Sequence, residues 1–153
     1  MKPLILKLVS RLIKIDTVLR SKPLIIYTEM PTICPCGSEL PFAHCCEPYI
    51  KGVIKAQTAE ALMRSRYSAY AVHNADYLYA TTVPKERRQH SKAAILEWAK
   101  YNQRLKLEVL AGTETTVEFK AYYLDASLQA RVHHEKSAFI KEQGSWYYVD
   151  GEY

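Results

Sequence analysis

The sequence predicts an α+β fold: helices packed on one face of a curved antiparallel sheet, preceded by a small cysteine-rich knuckle. Three observations predict it. Four cysteines crowd into the span Cys34 to Cys46. Apolar residues recur at helical spacing as far as about residue 100 and at alternating spacing after it. The helical part precedes the strand part without interleaving, the order of an α+β chain.

The elements follow in order. Leu4, Leu8, Leu12, Ile15 and Leu19 recur at helical spacing in a basic stretch. Residues 1–29 carry +4 of the formal net charge of +5, and residues 30–153 carry only +1. Two readings of 1–29 stand: a membrane-surface helix, or a basic N-terminal extension ahead of a body that starts at Met30. The second is preferred, because basic amphipathic stretches are weak evidence of membrane binding. It implies that 1–29 are dispensable for folding. Lys7, Arg11 and Lys14 interrupt every apolar run, so no export signal is expected. No stretch approaches the roughly 20 apolar residues of a membrane span. The expected compartment is the cytoplasm, where thiols stay reduced. The near-neutral body lacks the clustered basic face of a nucleic-acid binder.

Residues 30–52 form the expected knuckle and 53–153 the α+β domain. In residues 57–72, Ala59, Leu62, Met63, Arg66, Tyr67 and Tyr70 trace one helical face. Asn74 suits the cap of a short helix that reaches Tyr79, and Pro84 follows it. Ser91 suits the cap of a third helix with Ala94, Ile95 and Trp98 as its stripe. Four alternating runs come next: Leu105 to Val109, Val117 to Tyr123, Val132 to Ile140, and Trp146 to Val149. The turns between them fall at 111–113, 125–127 and 143–145.

Cys34-Pro-Cys36 and Cys45-Cys46 are two close pairs separated by eight residues. Zinc takes four thiolates tetrahedrally, and closed all-cysteine sites are structural. One structural zinc per chain is therefore expected, with His44 a bystander. Disulfides are the alternative, but a bridge between adjacent Cys45 and Cys46 would be strained. Loss of a ligand is expected to disorder 33–50 and to spare the body.

These residues resemble a known family. Cys34-Pro-Cys36-Gly37-Ser38, eight residues between the pairs, then Cys45-Cys46, resembles the SEC-C motif that closes the SecA translocase. Leu62-Met63-Arg64-Ser65-Arg66-Tyr67-Ser68-Ala69-Tyr70, Asp76-Tyr77-Leu78 and Trp146-Tyr147-Tyr148-Val149-Asp150-Gly151 are similar to the YchJ family of SEC-C proteins. The resemblance covers about residues 30–153. It implies a bacterial source and a cone fold of the kind shared by nuclear transport factor 2 and ketosteroid isomerase. It implies no activity. Members often carry a second such motif at the C-terminus, and usually begin near the equivalent of Met30.

Two further groups are candidates. Arg64, Arg66 and Tyr67 on the first body helix could bind an anion or partner, or form structural ion pairs. A helix places Arg64 and Arg66 on nearly opposite sides, which favours the structural role. His133 and Glu135 share one strand face. They could do acid–base chemistry inside the cone, or Glu135 could pair with Arg64 or Arg66; the ion pair is preferred. No catalytic residue is assigned. The expected function is a zinc-binding interaction or adaptor protein with an unidentified protein partner. The alternative is a small-molecule binder or enzyme that uses the cone interior.

Overall fold

A computed structural model describes residues 32–153. The expectations for residues 1–29 and for Met30 as a start lie outside the described residues. The cysteine segment opens with an isolated bridge between Ile33 and Pro41 and a 3₁₀ turn at Phe42–His44. The short helix α1, Glu47–Ile50, follows with Pro48 in its first turn.

Helix α2 spans Ala59–Ala71, and the Thr58 side chain caps it by accepting from Ala61 N at 3.1 Å. Asn74 caps α3, Ala75–Ala80, through Tyr77 N at 2.9 Å, as the sequence predicts. Ser91 caps α4, Lys92–Tyr101, through Ala94 N at 3.1 Å. Of the residues of α4 only Ala99 is fully buried, and Ala94 and Trp98 of its expected stripe are exposed.

The four strands are β1 Gln103–Gly112, β2 Thr116–Leu124, β3 Ala130–Glu142 and β4 Ser145–Glu152. They form one antiparallel meander in the order β1-β2-β3-β4. The inner face of β2 is Val117, Phe119 and Ala121, and that of β3 is Glu135, Ser137 and Phe139. Of three irregularities in the strand pairing, at Leu105, Leu110 and Val149, the first and last bear on the interior. Arg104 pairs with Tyr123 and Lys106 with Tyr122, which leaves Leu105 as an extra residue. This bulge turns Leu105 outward, against expectation, and brings Arg104 to the inner face. On β4, Phe139 pairs with Tyr148 and Ala138 with Asp150, so Val149 is extra. Tyr148 and Gly151 therefore both face inward. Beyond β4, Thr82 forms a parallel bridge to Tyr148 that covers the sheet edge.

One apolar cluster runs through the whole described unit. It joins Cys34, Cys36 and Cys46 to Leu62, Met63 and Tyr67 of α2, and to Leu107, Val117, Phe119, Phe139 and Trp146 of the sheet. The knuckle is thus part of the wall of the cone, packed in one cluster with the body. Helix α2 lies between the two and buries more than one stripe, including Ser65, Ser68 and Ala69.

Candidate metal centre and the cone interior

The cysteine site rests on local backbone geometry. Gly37 holds φ +79° after the first pair and lets the chain reverse. Cys34 N donates to Leu40 O at 2.8 Å and closes that turn. The start of α1 then presents Cys45 and Cys46 to the first pair. The four sulfurs all lie within 4.8 Å of one another. Cys36 Sγ stands 3.5 Å from Cys45 Sγ, which is 3.9 Å from Cys46 Sγ. A tetrahedral ion with metal–sulfur bonds of about 2.3 Å requires sulfur–sulfur edges of about 3.8 Å. The cluster fits a metal, and all four cysteines are free thiols. Cys34, Cys36 and Cys46 are buried and Cys45 half-buried. His44 is exposed and outside the cluster, as expected.

Three of the crowded thiols are shifted unequally. Hydrogen bonding, from Cys46 above all, pulls the Cys36 thiol down to about 4 against the opposing effect of burial. Burial chiefly pushes Cys45 up to about 11. Cys46 is also pushed up, by its bond to Cys36 and then by burial. A divalent cation favours the thiolate at all four positions.

Arg64 ties this site to α2. Its Nη1 donates to Cys36 O at 2.9 Å, and its Nε pairs with Glu60 at 2.8 Å. Arg64→Met is expected to cost about 1 to 2 kcal/mol in denaturant unfolding, the worth of a charged hydrogen bond. It should also speed metal loss to a chelator. Unchanged values of both would contradict the tie.

Arg66 leaves the helix on the opposite side, as predicted. It is buried and donates through Nη1 to Leu78 O at 2.8 Å and Thr81 Oγ1 at 2.7 Å. Its guanidinium carbon stands 4.6 Å from the centre of the Tyr148 ring.

Glu135 and His133 do meet, on the inner face, but the preferred ion pair of Glu135 with Arg64 or Arg66 is not formed. Glu135 instead accepts from His133 Nε2 at 2.7 Å, Ser137 Oγ at 2.6 Å and Tyr148 Oη at 3.1 Å. Arg66 reaches it only through the stacked Tyr148. The reason is geometric: the β3 neighbours at i−2 and i+2 share its face and lie nearer than the helix. Tyr67 contributes no hydrogen bond to Glu135; its hydroxyl has no partner.

Tyr148, Gly151 and Arg104 belong to this interior together with Ser137, which alternation places on the face of Glu135, and none of the four is among the candidate site residues. For Gly151 a signal existed, since glycine inside a strand marks close approach. A Cβ there would stand 2.6 Å from Glu135 Cδ.

Burial acts most strongly on the Glu135 carboxyl and raises it. The bonds from His133, Ser137 and Tyr148 together outweigh burial and hold it below the usual carboxylate range. A carboxyl lowered in the folded state stabilises the fold above its unfolded pKa, and loses that contribution as pH falls through the folded one. Glu135→Gln should therefore show a shallower loss of stability than the parent chain on acidification below about pH 4.3. Parallel acid limbs in the two proteins would contradict this.

Tyr67, Arg66, Arg104, Phe119, Phe139 and Tyr148 line the interior. Two surface clefts lie elsewhere, one at Val72–Asp76 with Lys92 and Leu96, the other at Gln57–Thr58 with Thr113 and Trp146. Among the described residues no helix is long and apolar enough to cross a membrane.

Comparison with known proteins covers both parts. The model of the YchJ middle NTF2-like domain matches residues 58–151, and that of the SEC-C motif matches 30–48. A UPF0225 protein of Photorhabdus laumondii is 43% identical over 129 residues, 80% of this chain and 81% of that one. A UPF0225 protein of Geobacter sulfurreducens is 42% identical over 129 residues, 80% of each chain. The solution structure of a SEC-C motif containing protein from Rhodopseudomonas palustris superposes with a TM-score of 0.71 at 36% identity, over 80% of this chain and 98% of that one. The crystal structure of another, from Psychrobacter arcticus, gives 0.65 at 34% identity, over 78% and 81%.

Proposed function

We propose that this chain, which belongs to the YchJ family of SEC-C motif proteins, is a cytoplasmic zinc-binding protein that acts through a protein partner. The observation that carries the reading is the four-cysteine cluster with sulfur–sulfur spacings of 3.5 and 3.9 Å. Such a donor set suits zinc, because soft thiolates in a tetrahedron match its preferences. Cys34, Cys36, Cys45 and Cys46 hold the ion and leave it no open position, so its role is to fix backbone rather than to activate water. Free thiols are compatible with a reducing compartment.

The partner role is supported by what the fixed backbone displays. Ile33 is 56% exposed, Leu40 52%, Val53 73% and Ile54 47%. Large apolar side chains held in water around a metal site are the raw material of an interface. Acid–base catalysis is less well supported, since Glu135 already accepts three hydrogen bonds and lines neither of the two surface clefts described above.

The test is capture from native lysate with the parent chain and with a Leu40→Ser, Val53→Ser variant. The expected result is a defined protein retained by the parent and lost from the variant, with metal content and melting unchanged. Equal retention by both chains would remove the reading.

A further inference from the structure

Three buried side-chain nitrogen or oxygen atoms among the described residues lack a hydrogen-bond partner, and they sit on two neighbours: Tyr67 Oη, Arg104 Nε and Arg104 Nη1. Buried donors are nearly always satisfied in native folds, so a cluster of orphans at one place requires a cause. The Arg104 guanidinium carbon stands 4.6 Å from the Trp98 ring centre, 4.9 Å from Tyr70, and 5.6 Å from both Tyr67 and Tyr123. Four ring faces attract the cation. They do not replace the strong acceptors that its N–H groups lose on leaving water.

Arg66 shows the contrast within one molecule. Its guanidinium too stands against an aromatic ring, yet a carbonyl and threonine hydroxyls receive its Nη1. Arg104 has no such acceptor, and its side chain makes none of the ion pairs of the described residues. Burial pushes the Tyr67 hydroxyl up to about 12, so it remains a donor at neutral pH.

We infer that Arg104 and Tyr67 anchor a site for a small organic carboxylate, with Tyr70, Trp98 and Tyr123 walling its apolar or aromatic remainder. The inference goes beyond the partner-binding role and does not depend on it. A single negative charge matches a single arginine. The Glu135 carboxylate lies on the same inner face of the sheet, so a dianion such as phosphate meets more repulsion there. Access is through α4. That helix buries only Ala99 fully, and its Trp98 is 41% exposed, which makes it the wall of the cage that yields most easily.

The full chain is titrated with benzoate, and with inorganic phosphate in parallel. The readouts are the Arg104 Nε–H resonance and tryptophan fluorescence. The expected result is a saturable shift of that resonance with benzoate. Tyr67→Phe keeps the ring and removes one donor, and should weaken benzoate about tenfold. Arg104→Lys, folded by circular dichroism, should weaken it at least as much. A resonance that benzoate leaves unmoved, a shift that never saturates, equal affinity in Tyr67→Phe, or phosphate binding as tightly as benzoate would each overturn the assignment.

Discussion

Cys46→Ser lowers the melting temperature of the whole described unit, sheet included, by roughly 10 °C, corresponding to about 3 kcal/mol. Cys46 is 2% exposed and Cys36 fully buried, and both belong to the same cluster as Leu62, Met63, Leu107 and Trp146. The effect has two causes. A site short of one thiolate binds its metal weakly, and metal binding of this kind is folding free energy. The remaining sulfurs are then no longer held together by a cation, and the backbone of the knuckle loses what fixes it. Cys34 Sγ also stands 3.5 Å from Ser68 Oγ, and Cys36 O holds Arg64, so disorder in the knuckle reaches α2 directly. Melting is followed by far-ultraviolet circular dichroism and tryptophan fluorescence together. A sheet that melts within a degree or two of the parent while only the knuckle disorders would show that the two parts are independent.

Gly151→Ala costs about 2 to 4 kcal/mol, a large effect for one methyl group on an edge strand. Gly151 lies opposite Ser137 and its φ is not in the left-handed region, so alanine meets no backbone penalty. The cost arises because the new Cβ stands 2.8 Å from Glu135 Cγ and closer still to its carboxylate. Glu135 cannot step aside without giving up its bonds to His133, Ser137 and Tyr148, and a buried carboxylate stripped of donors is expensive. Chemical denaturation of a double-mutant cycle with Glu135→Ala isolates the collision. Gly151→Ala should cost much less in the Glu135→Ala background. An equal cost in both backgrounds would assign the effect to the strand instead.

Much of this architecture was legible in the residues. Asn74 and Ser91 cap helices for the local reason that a short polar side chain can reach the free N–H two or three residues on. The alternation of β2 identified its inner face, because strand side chains alternate whatever lies above the sheet; on β3 alternation separated the two faces but left open which of them turns inward. The cysteine spacing identified the metal cluster for the same reason of reach. What local pattern could not supply was phase and partnership. The extra residues Leu105 and Val149 are set by the pairing of neighbouring strands, and each moves the next side chains to the other face. Arg104 and Gly151 therefore entered the interior unforeseen. The preference for an arginine partner of Glu135 rests on the lack of a nucleophile or oxyanion donor nearby in the sequence, which says nothing of distance, and His133 on its own strand lies nearer.

The central claim is a closed metal site on four free thiols built into the wall of the fold. Elemental analysis and thiol titration of the same natively purified sample test it most directly. One zinc per chain is predicted, with four titratable thiols on denaturation in chelator. A folded, metal-free chain with two disulfides would contradict it.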